Sequence, residues 1–220
     1  MKNWKQGLFV VVAMAAVWGA AAQAQTDVAL SGFTTITSNS SGFGTAQKPH
    51  DSEGAMIELR HIVNPLVGFE SAVSFSPDNQ SYQPNGTSCA LVCGQPKLEV
   101  SGKLTEFTMD WVVSMKTGNI RPFAVGGAGF AFTVPGRNPT APSATYGTVP
   151  GYSVNTVVKP AFVYGGGLDW GFLPHWGIRV QVRGNMTKAP QLLDLYPATT
   201  AYTQIYEPMG GVYYRFGSAR

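Results

Sequence analysis

Residues 176–183 read WGIRVQVR, and this stretch decides the fold class. Its even-numbered positions are all apolar, whereas three of its four odd-numbered positions carry polar or charged side chains: Arg179, Gln181 and Arg183. Successive side chains of a β-strand point to opposite faces of a sheet, whereas a helix repeats every ~3.6 residues. The stretch therefore predicts a strand with one apolar face and one wet face.

The same period of two recurs along most of the chain. Between Phe107 and Met115 the odd-numbered positions are apolar, and Asp110 and Ser114 lie on the opposite face. Similar alternation predicts eight strands, at about 27–37, 53–63, 66–76, 103–116, 120–133, 156–172, 176–186 and 202–216. The chain is therefore expected to be all-β.

The connections between these strands alternate strictly in length. Three are short and carry the Pro, Gly or Asn that tight reversals need: 64–65, 117–119 and 173–175. Four are long and polar: 38–52, 77–102, 135–155 and 187–201. A transmembrane β-barrel combines short periplasmic turns and long outer loops with strands of about 9–11 residues. We therefore predict an eight-stranded antiparallel up-and-down transmembrane barrel with both termini at the periplasmic side.

Two soluble folds share the alternation but not the other features. A β-sandwich gives no reason for every second connection to be long. A lipocalin-like barrel turns its apolar residues inward around a ligand and carries more charge outside. Here only 12% of the residues are charged while 44% are apolar, and an average soluble domain carries about 25% charged residues. This composition favours the membrane barrel and excludes a disordered chain.

The first 24 residues have the pattern of an export signal. Lys2 and Lys5 form a basic start, an apolar stretch follows, and Ala22-Gln23-Ala24 matches a small-x-small cleavage site. We expect residues 1–24 to be removed and residues 25–220 to form one barrel domain. Removal leaves 13 basic against 12 acidic residues, a balance that does not favour nucleic-acid binding.

The last predicted strand carries a family resemblance. Residues 206–216 read YEPMGGVYYRF, and Val212, Tyr214 and Phe216 share one face. This strand resembles the signal by which the barrel assembly machinery recognises Gram-negative outer-membrane proteins, although four residues follow its final aromatic. From about 27 to 216 the chain is similar to the small eight-stranded outer-membrane barrels: the OmpA transmembrane domain, OmpX and OmpW. The resemblance implies location in the cell outer membrane, among its lipid and lipopolysaccharide.

If the apolar faces contact lipid, the opposite faces fill the lumen with charge. Six acidic and four arginine side chains are predicted there, with Lys116 and Lys159 near the two ends: Glu58, Arg60, Glu70, Glu106, Asp110, Asp169, Arg179, Arg183, Glu207 and Arg215. An eight-stranded barrel is just wide enough for side chains to fill it, and guanidinium groups bind carboxylates bidentately. We favour a closed polar plug, and a gated or narrow ion path is the alternative.

Catalysis is a further alternative, because some barrels of this size modify lipids. A lipid A deacylase of this kind needs a Ser nucleophile, a His base and a carboxylate. The sequence has only His50, His61 and His175, which we interpret as loop or interfacial residues. We therefore expect no enzyme activity, and no cofactor.

Cys89 and Cys93 lie in the second long connection. Export to an oxidising compartment favours a small loop closed by a disulfide between them. No His, Cys, Asp or Glu lies between the two to complete a metal site, so no metal is expected.

Aromatic residues near the predicted strand ends are candidates for interfacial girdles. They are Trp111, Trp170, Phe172, Trp176, Tyr202, Tyr206, Tyr213 and Phe216. The sequence thus predicts a non-enzymatic outer-membrane barrel for envelope integrity, or for interaction with a surface ligand through its long loops. A narrow porin or OmpW-like conduit for small solutes is the alternative, followed by a lipid-modifying enzyme.

Overall fold

The computed structural model describes residues 25–84, 97–136, 156–192, 199 and 201–216. These ranges hold ten β-strands: β1 (Gln25–Thr37), β2 (Ser40–Gly42), β3 (Thr45–Pro49), β4 (Ser52–Ile62), β5 (Val67–Pro84), β6 (Leu98–Ser114), β7 (Ile120–Pro135), β8 (Val157–Gly171), β9 (Trp176–Lys188) and β10 (Tyr202–Phe216). No helix of these ranges is long and apolar enough to span a membrane. The predicted export signal and the Cys89–Cys93 disulfide lie outside the described residues.

Eight of the strands close into a barrel. From β4 to β10 each strand pairs antiparallel with the next, and β1 closes the ring by pairing with β4 on one side and β10 on the other. At this seam Asp27 lies opposite Arg215 and Leu30 lies opposite Val212. The predicted eight-stranded antiparallel up-and-down barrel is confirmed.

Three short turns lie at the end of the barrel that also holds the first and last paired residues, Thr26 and Phe216. In the β4–β5 turn, Asn64 Oδ1 accepts hydrogen bonds from the backbone N–H groups of Leu66 at 2.9 Å and Val67 at 2.8 Å. In the β6–β7 turn Gly118 adopts φ +61°, a conformation that glycine reaches without a side-chain clash. We call this end periplasmic, since short turns face the periplasm in outer-membrane barrels.

The opposite, outer end rises higher on one side than the sequence predicts. β5 continues to Pro84 and β6 begins at Leu98, beyond the predicted limits at 76 and 103. Within the first long connection, the hairpin of β2 and β3 was not predicted. There β3 takes over from β4 as the neighbour of β5, with Thr45 opposite Pro84. Above the lipid both faces of a strand can be polar, so the alternation that marked the predicted ends stops while backbone pairing continues.

The outer wall carries an apolar belt. Each barrel strand exposes a third or more of at least one large apolar side chain, for example Leu30, Ile57, Phe75, Met109, Phe130, Phe162, Val180 and Val212. Soluble monomers rarely expose continuous apolar patches beyond a few hundred Å². A closed sheet with such a belt satisfies its backbone internally and presents hydrocarbon to lipid, as a spanning barrel must.

One predicted girdle residue does not lie in the belt. Trp111, Trp170 and Trp176 are exposed on the outer wall, whereas Tyr213 is only 2% exposed and points into the lumen. On β10 the outward parity belongs to Val212 and the other even-numbered residues, so the strand turns Tyr213 inward. The girdle interpretation of Tyr213 is therefore wrong.

Candidate functional site

The inward faces of the strands gather charge along the barrel axis. The structure turns all ten predicted lumen side chains inward. Nine of them are at most 2% exposed, and Arg215, near the periplasmic end, keeps 13% of its side chain exposed. Because side-chain directions alternate along a strand, the apolar belt outside obliges these polar positions to meet inside.

Arg60 on β4 occupies the middle of the lumen. Its Nε donates to Glu70 Oε2 on β5 at 2.7 Å, and its Nη1 donates to Asp169 Oδ2 on β8 at 3.1 Å. The guanidinium carbon lies 4.0 Å from the ring centroid of Phe123 on β7, within cation–π range. One side chain thus links four strands.

Arg179 on β9 lies beside Arg60. Its Nε donates to Asp169 Oδ1 at 2.7 Å, and its Nη1 lies 3.4 Å from Glu58 Oε2. Gln181 also donates to the Glu58 carboxylate. The Asp169 carboxylate is therefore shared by two arginines, and Glu58 is held by one arginine and one amide.

Arg183, four residues further along β9, reaches β5 and β6. Its Nη1 donates to Glu70 Oε1 at 3.2 Å, and its Nη2 donates to Asp110 Oδ2 at 2.7 Å and to Thr108 Oγ1 at 2.9 Å. Together, three arginines and four carboxylates form what we call the central network: Arg60, Arg179, Arg183, Glu58, Glu70, Asp110 and Asp169.

Glu106 and Glu207 form an acidic pair on the outer side of this network. Within the described ranges, neither has a basic group within 4 Å. Asn185 Nδ2 donates to Glu106 Oε2 at 2.7 Å, and the same amide bonds Glu207. Glu106 Oε1 and Glu207 Oε2 are buried without a hydrogen-bond partner among the described residues. The shared amide is the contact that offsets their mutual repulsion.

Two charged lumen residues near the periplasmic end were not predicted. Asp27 on β1 accepts a hydrogen bond from Arg215 Nε at 3.2 Å, and it is fully buried. Arg121 on β7 is 6% exposed, and its Nη2 donates to Gln25 Oε1 at 3.3 Å. Both lie within predicted strands, so the parity rule that found the other ten would have found these too.

The lumen also holds apolar side chains, at inward-facing positions of the strands. Phe33, Met56, Ala72 and Met209 form a buried cluster inside the barrel. Met209 Sδ accepts a hydrogen bond from Gln181 Nε2 at 2.9 Å. These side chains pack against the central network and fill space that charged groups leave open.

Two separate cavities lie at the ends of the lumen. The outer one measures about 40 Å³ and is lined by residues that include His50, Glu106 and Lys159. The periplasmic one measures about 300 Å³, and Lys116 and Arg121 are among its lining residues. Lys116 and Lys159 thus lie at opposite ends of the lumen, with the central network between the cavities.

The histidines lie away from the central network. His61 Nδ1 is 3.1 Å from Thr26 Oγ1, and His175 Nδ1 is 3.0 Å from the backbone oxygen of Arg215. His50 lines the outer cavity near Ser52, whose hydroxyl donates to the backbone oxygen of Pro77 at 2.8 Å. Across the described part of the chain, no three His, Cys, Asp or Glu side chains are arranged to hold a metal ion.

The predicted assembly-signal residues of β10 line the outer wall at the periplasmic end. The ring centroid of Tyr214 lies 4.9 Å from that of Phe216 and 5.1 Å from that of Trp176. Val212 is 47% exposed beside them. The aromatic end of the last strand is thus an exposed patch at the barrel seam.

Comparison with known proteins shows the fold. No protein-family model and no curated protein sequence matches the chain. The outer membrane protein OprG of Pseudomonas aeruginosa aligns at TM-score 0.50 and 13% identity, over 89% of this chain and 96% of OprG. Neisserial surface protein A aligns at TM-score 0.50 and 11% identity, over 88% of this chain and 99% of its own. The resemblance in fold to the small eight-stranded outer-membrane barrels is confirmed, and with its apolar belt the chain is a transmembrane β-barrel.

Proposed function

We propose that this barrel is non-enzymatic, that its lumen is plugged, and that it serves envelope integrity or surface interaction through its outer end. One observation carries the plug: the central network lies between the two cavities with its side chains at hydrogen-bond distance. Arg60 and Arg179 are fully buried, and Arg183 is 1% exposed. Ion pairs at contact distance leave little room for water, and separating them exposes unpaired charge to a poorly solvated interior.

Planar-bilayer conductance tests the plug. The purified barrel should give no steady, reproducible current steps, whereas an open porin reconstituted in the same way should give them. An Arg179→Leu variant, which loses its bonds to Asp169 and Glu58, should lose heat resistance on a gel-shift assay. Steady channels from the unmodified barrel would contradict the plug and favour a narrow porin or an OmpW-like conduit.

The non-enzymatic part of the proposal is supported by the contacts of the histidines. His175 faces a backbone carbonyl, and the hydroxyl of Ser52 donates to a carbonyl rather than to His50. Expression of the barrel in an outer membrane should therefore leave the mass of lipid A unchanged. A shift equal to one acyl chain would contradict the proposal and indicate a lipid-modifying enzyme.

The described part of the outer end supports surface interaction because side-chain hydrogen bonds hold it in place. Tyr82 Oη on β5 and Gln47 Nε2 on β3 both donate to the backbone oxygen of Pro190, each at 3.0 Å. Leu192 is fully buried beside them. Residues 189–192, which follow β9, are thereby held against the raised wall and offer a surface ligand a fixed contact region.

Lipopolysaccharide is the partner that we infer for the lysines just above the belt. Lys103 on β6 and Lys188 on β9 are exposed at the outer ends of their strands, where anionic headgroups attract cations. Replacing both with Gln should reduce the lipopolysaccharide that co-purifies with the barrel. Exposed Lys116, at the periplasmic end, provides the matched control, and an equal loss on Lys116→Gln would contradict the inference.

The barrel assembly machinery is the second inferred partner, through Val212, Tyr214 and Phe216. Their exposure at the seam supports this role. Phe216→Ala should reduce the amount of folded barrel in the outer membrane while leaving spontaneous refolding into detergent intact. If Phe216→Ala lowered both the amount of folded barrel in the membrane and the refolding into detergent, Phe216 would instead contribute to the stability of the barrel.

A further inference from the structure

The periplasmic cavity carries a surplus of positive charge. Its volume is about 300 Å³, at the lower end of the range for small-molecule sites. Lys116 from the β6–β7 turn, Arg121 from β7 and Arg215 from β10 line it, and Asp169 is the one carboxylate in its lining. The cavity therefore favours an anion.

Arg121 brings unsatisfied hydrogen-bond donors to this cavity. The residue is 6% exposed, and its Nε and Nη1 are buried without a hydrogen-bond partner among the described residues. Its Nη2 donates to the neutral Gln25, and no carboxylate of the described ranges lies within 4 Å of it. A buried cation without a paired anion is costly, so an oxyanion bound beside Arg121 would lower the free energy of this site.

The nearby carboxylates do not supply that anion. Asp27 and Asp169 are the acids that act on Arg121 through space. Asp169 is held by Arg60 and Arg179, and Asp27 accepts from Arg215. Both acids are therefore bound to other arginines, and the charge of Arg121 remains uncompensated among the described residues.

The rim of the cavity is apolar on one side. Phe172 and Leu173 in the β8–β9 turn line it and are 48% and 56% exposed. The periplasmic end of a spanning barrel lies at the level of the lipid headgroups. A phosphate inside the cavity could therefore keep a short apolar group against this rim.

We propose that the periplasmic cavity binds a phosphate group, with Arg121 as its main partner and Lys116 and Arg215 beside it. The planar guanidinium offers paired donors that match phosphate oxygens, and the Lys116 ammonium adds a positive charge to the cavity lining. The phosphate belongs either to a phospholipid headgroup of the periplasmic leaflet or to a free phosphate ion. The site does not require an open lumen, so it stands whether or not the plug does.

Calorimetric titration of the folded barrel in octyl glucoside, a phosphate-free detergent, tests the site. The two probes are inorganic phosphate and dihexanoyl phosphatidylglycerol. We expect binding that Arg121→Gln weakens at least ~10-fold and Lys116→Gln weakens several-fold. Lys159→Gln, which removes a cation at the opposite mouth, should leave the affinity unchanged. Binding of the lipid at least ~10-fold tighter than inorganic phosphate identifies the headgroup as the source, and equal affinities identify the free ion.

Two results would overturn the proposal. One is the absence of binding by both probes. The other is binding that persists at equal affinity in Arg121→Gln and Lys116→Gln. The folding of each variant is checked by its heat-dependent gel mobility. If Arg121→Gln does not fold, the Lys116→Gln variant still tests the proposal, because Lys116 is exposed on a turn.

Discussion

Arg60 and Glu70 face each other across the β4–β5 pair, with Nη2 of Arg60 2.6 Å from Oε2 of Glu70 and both side chains fully buried. Asp169 holds the other side of the same guanidinium, at 3.1 Å from Nη1. A buried charge held in this way stabilises the barrel only while its partners stay in place, since each partner alone would be an uncompensated charge.

Arg60→Leu should therefore destabilise the barrel by about 3–5 kcal/mol, the usual cost of breaking a buried ion pair from one side. Urea unfolding in lipid vesicles, followed by tryptophan fluorescence, measures this cost. The double variant Arg60→Leu/Glu70→Leu should lose less stability than the two single variants added together, because each single variant already breaks the Arg60–Glu70 pair. A double variant as unstable as the sum of the two single variants would contradict the pairing.

Neutralising Glu106 should stabilise the barrel, in contrast to Arg60→Leu. Glu106 faces Glu207 with only the Asn185 amide between them, so Glu106→Gln removes a like-charge repulsion and should raise the free energy of unfolding by roughly 1 kcal/mol. The same chemical change at Glu70, which contacts three arginines, should lower it. Parallel urea titrations compare the two variants, and a loss of stability in both would mean that the acidic pair is held by an additional group.

Gly177→Ala should destabilise the barrel, because the added Cβ would overlap Cζ of Tyr213. The Tyr213 ring is held between Arg179 and Arg215, whose guanidinium carbons lie 5.6 Å and 5.4 Å from its centroid. The overpacking cost should be about 1–3 kcal/mol. Gly210→Ala is the matched control, since a Cβ there has no neighbour within 4 Å. Equal melting temperatures for the two variants would show that Tyr213 is free to move aside.

The raised wall should lose stability as the pH increases. Asp78 lies on β5 beyond the apolar belt, and burial raises its pKa above the usual range, although a hydrogen bond from Gln80 opposes this. Folding therefore favours the protonated acid. The contribution is fully present below the pKa of the unfolded chain, about 3.9, and is lost as the pH rises through the folded value.

Amide hydrogen exchange measures this effect. After correction for intrinsic rates, protection of the Gln80–Val100 pair of the outer ladder should fall as the pH rises above about 4, and Asp78→Asn should remove the dependence. Glu99→Gln, which changes a partly exposed acid of the same ladder, should retain it. Protection that does not change with pH in the unmodified chain would contradict the prediction.

The sequence predicts most of the barrel because a single rule, alternation, acts on every strand. Arg179 and Arg183 could be assigned to the lumen from their parity alone, since the lipid outside excludes charge. The rule fails where the lipid ends, and for that reason the outer parts of β5 and β6 and the β2–β3 hairpin were missed. Phe33 and Met209 share the parity of the charged lumen residues on their strands, but an apolar side chain is tolerated on both faces of the wall, so their cluster was not predicted.

The sequence does not predict which lumen charges pair with each other. Arg60 meets Asp169, which is 109 residues away in the chain. Which residues meet across a barrel depends on the tilt and stagger of the strands, and parity carries no information on either. The unpaired state of Arg121 depends on the same geometry, so the periplasmic cavity could not have been predicted.

The central network has a consequence for assembly. Arg60 on β4 reaches β8, and Arg183 on β9 reaches β5 and β6, so these bonds join opposite walls of the cylinder. None of them can form until the sheet has curled far enough to bring its opposite walls together. Curling into the cylinder therefore forms the ion pairs that cross the lumen together, and we expect the closed barrel to unfold cooperatively rather than strand by strand.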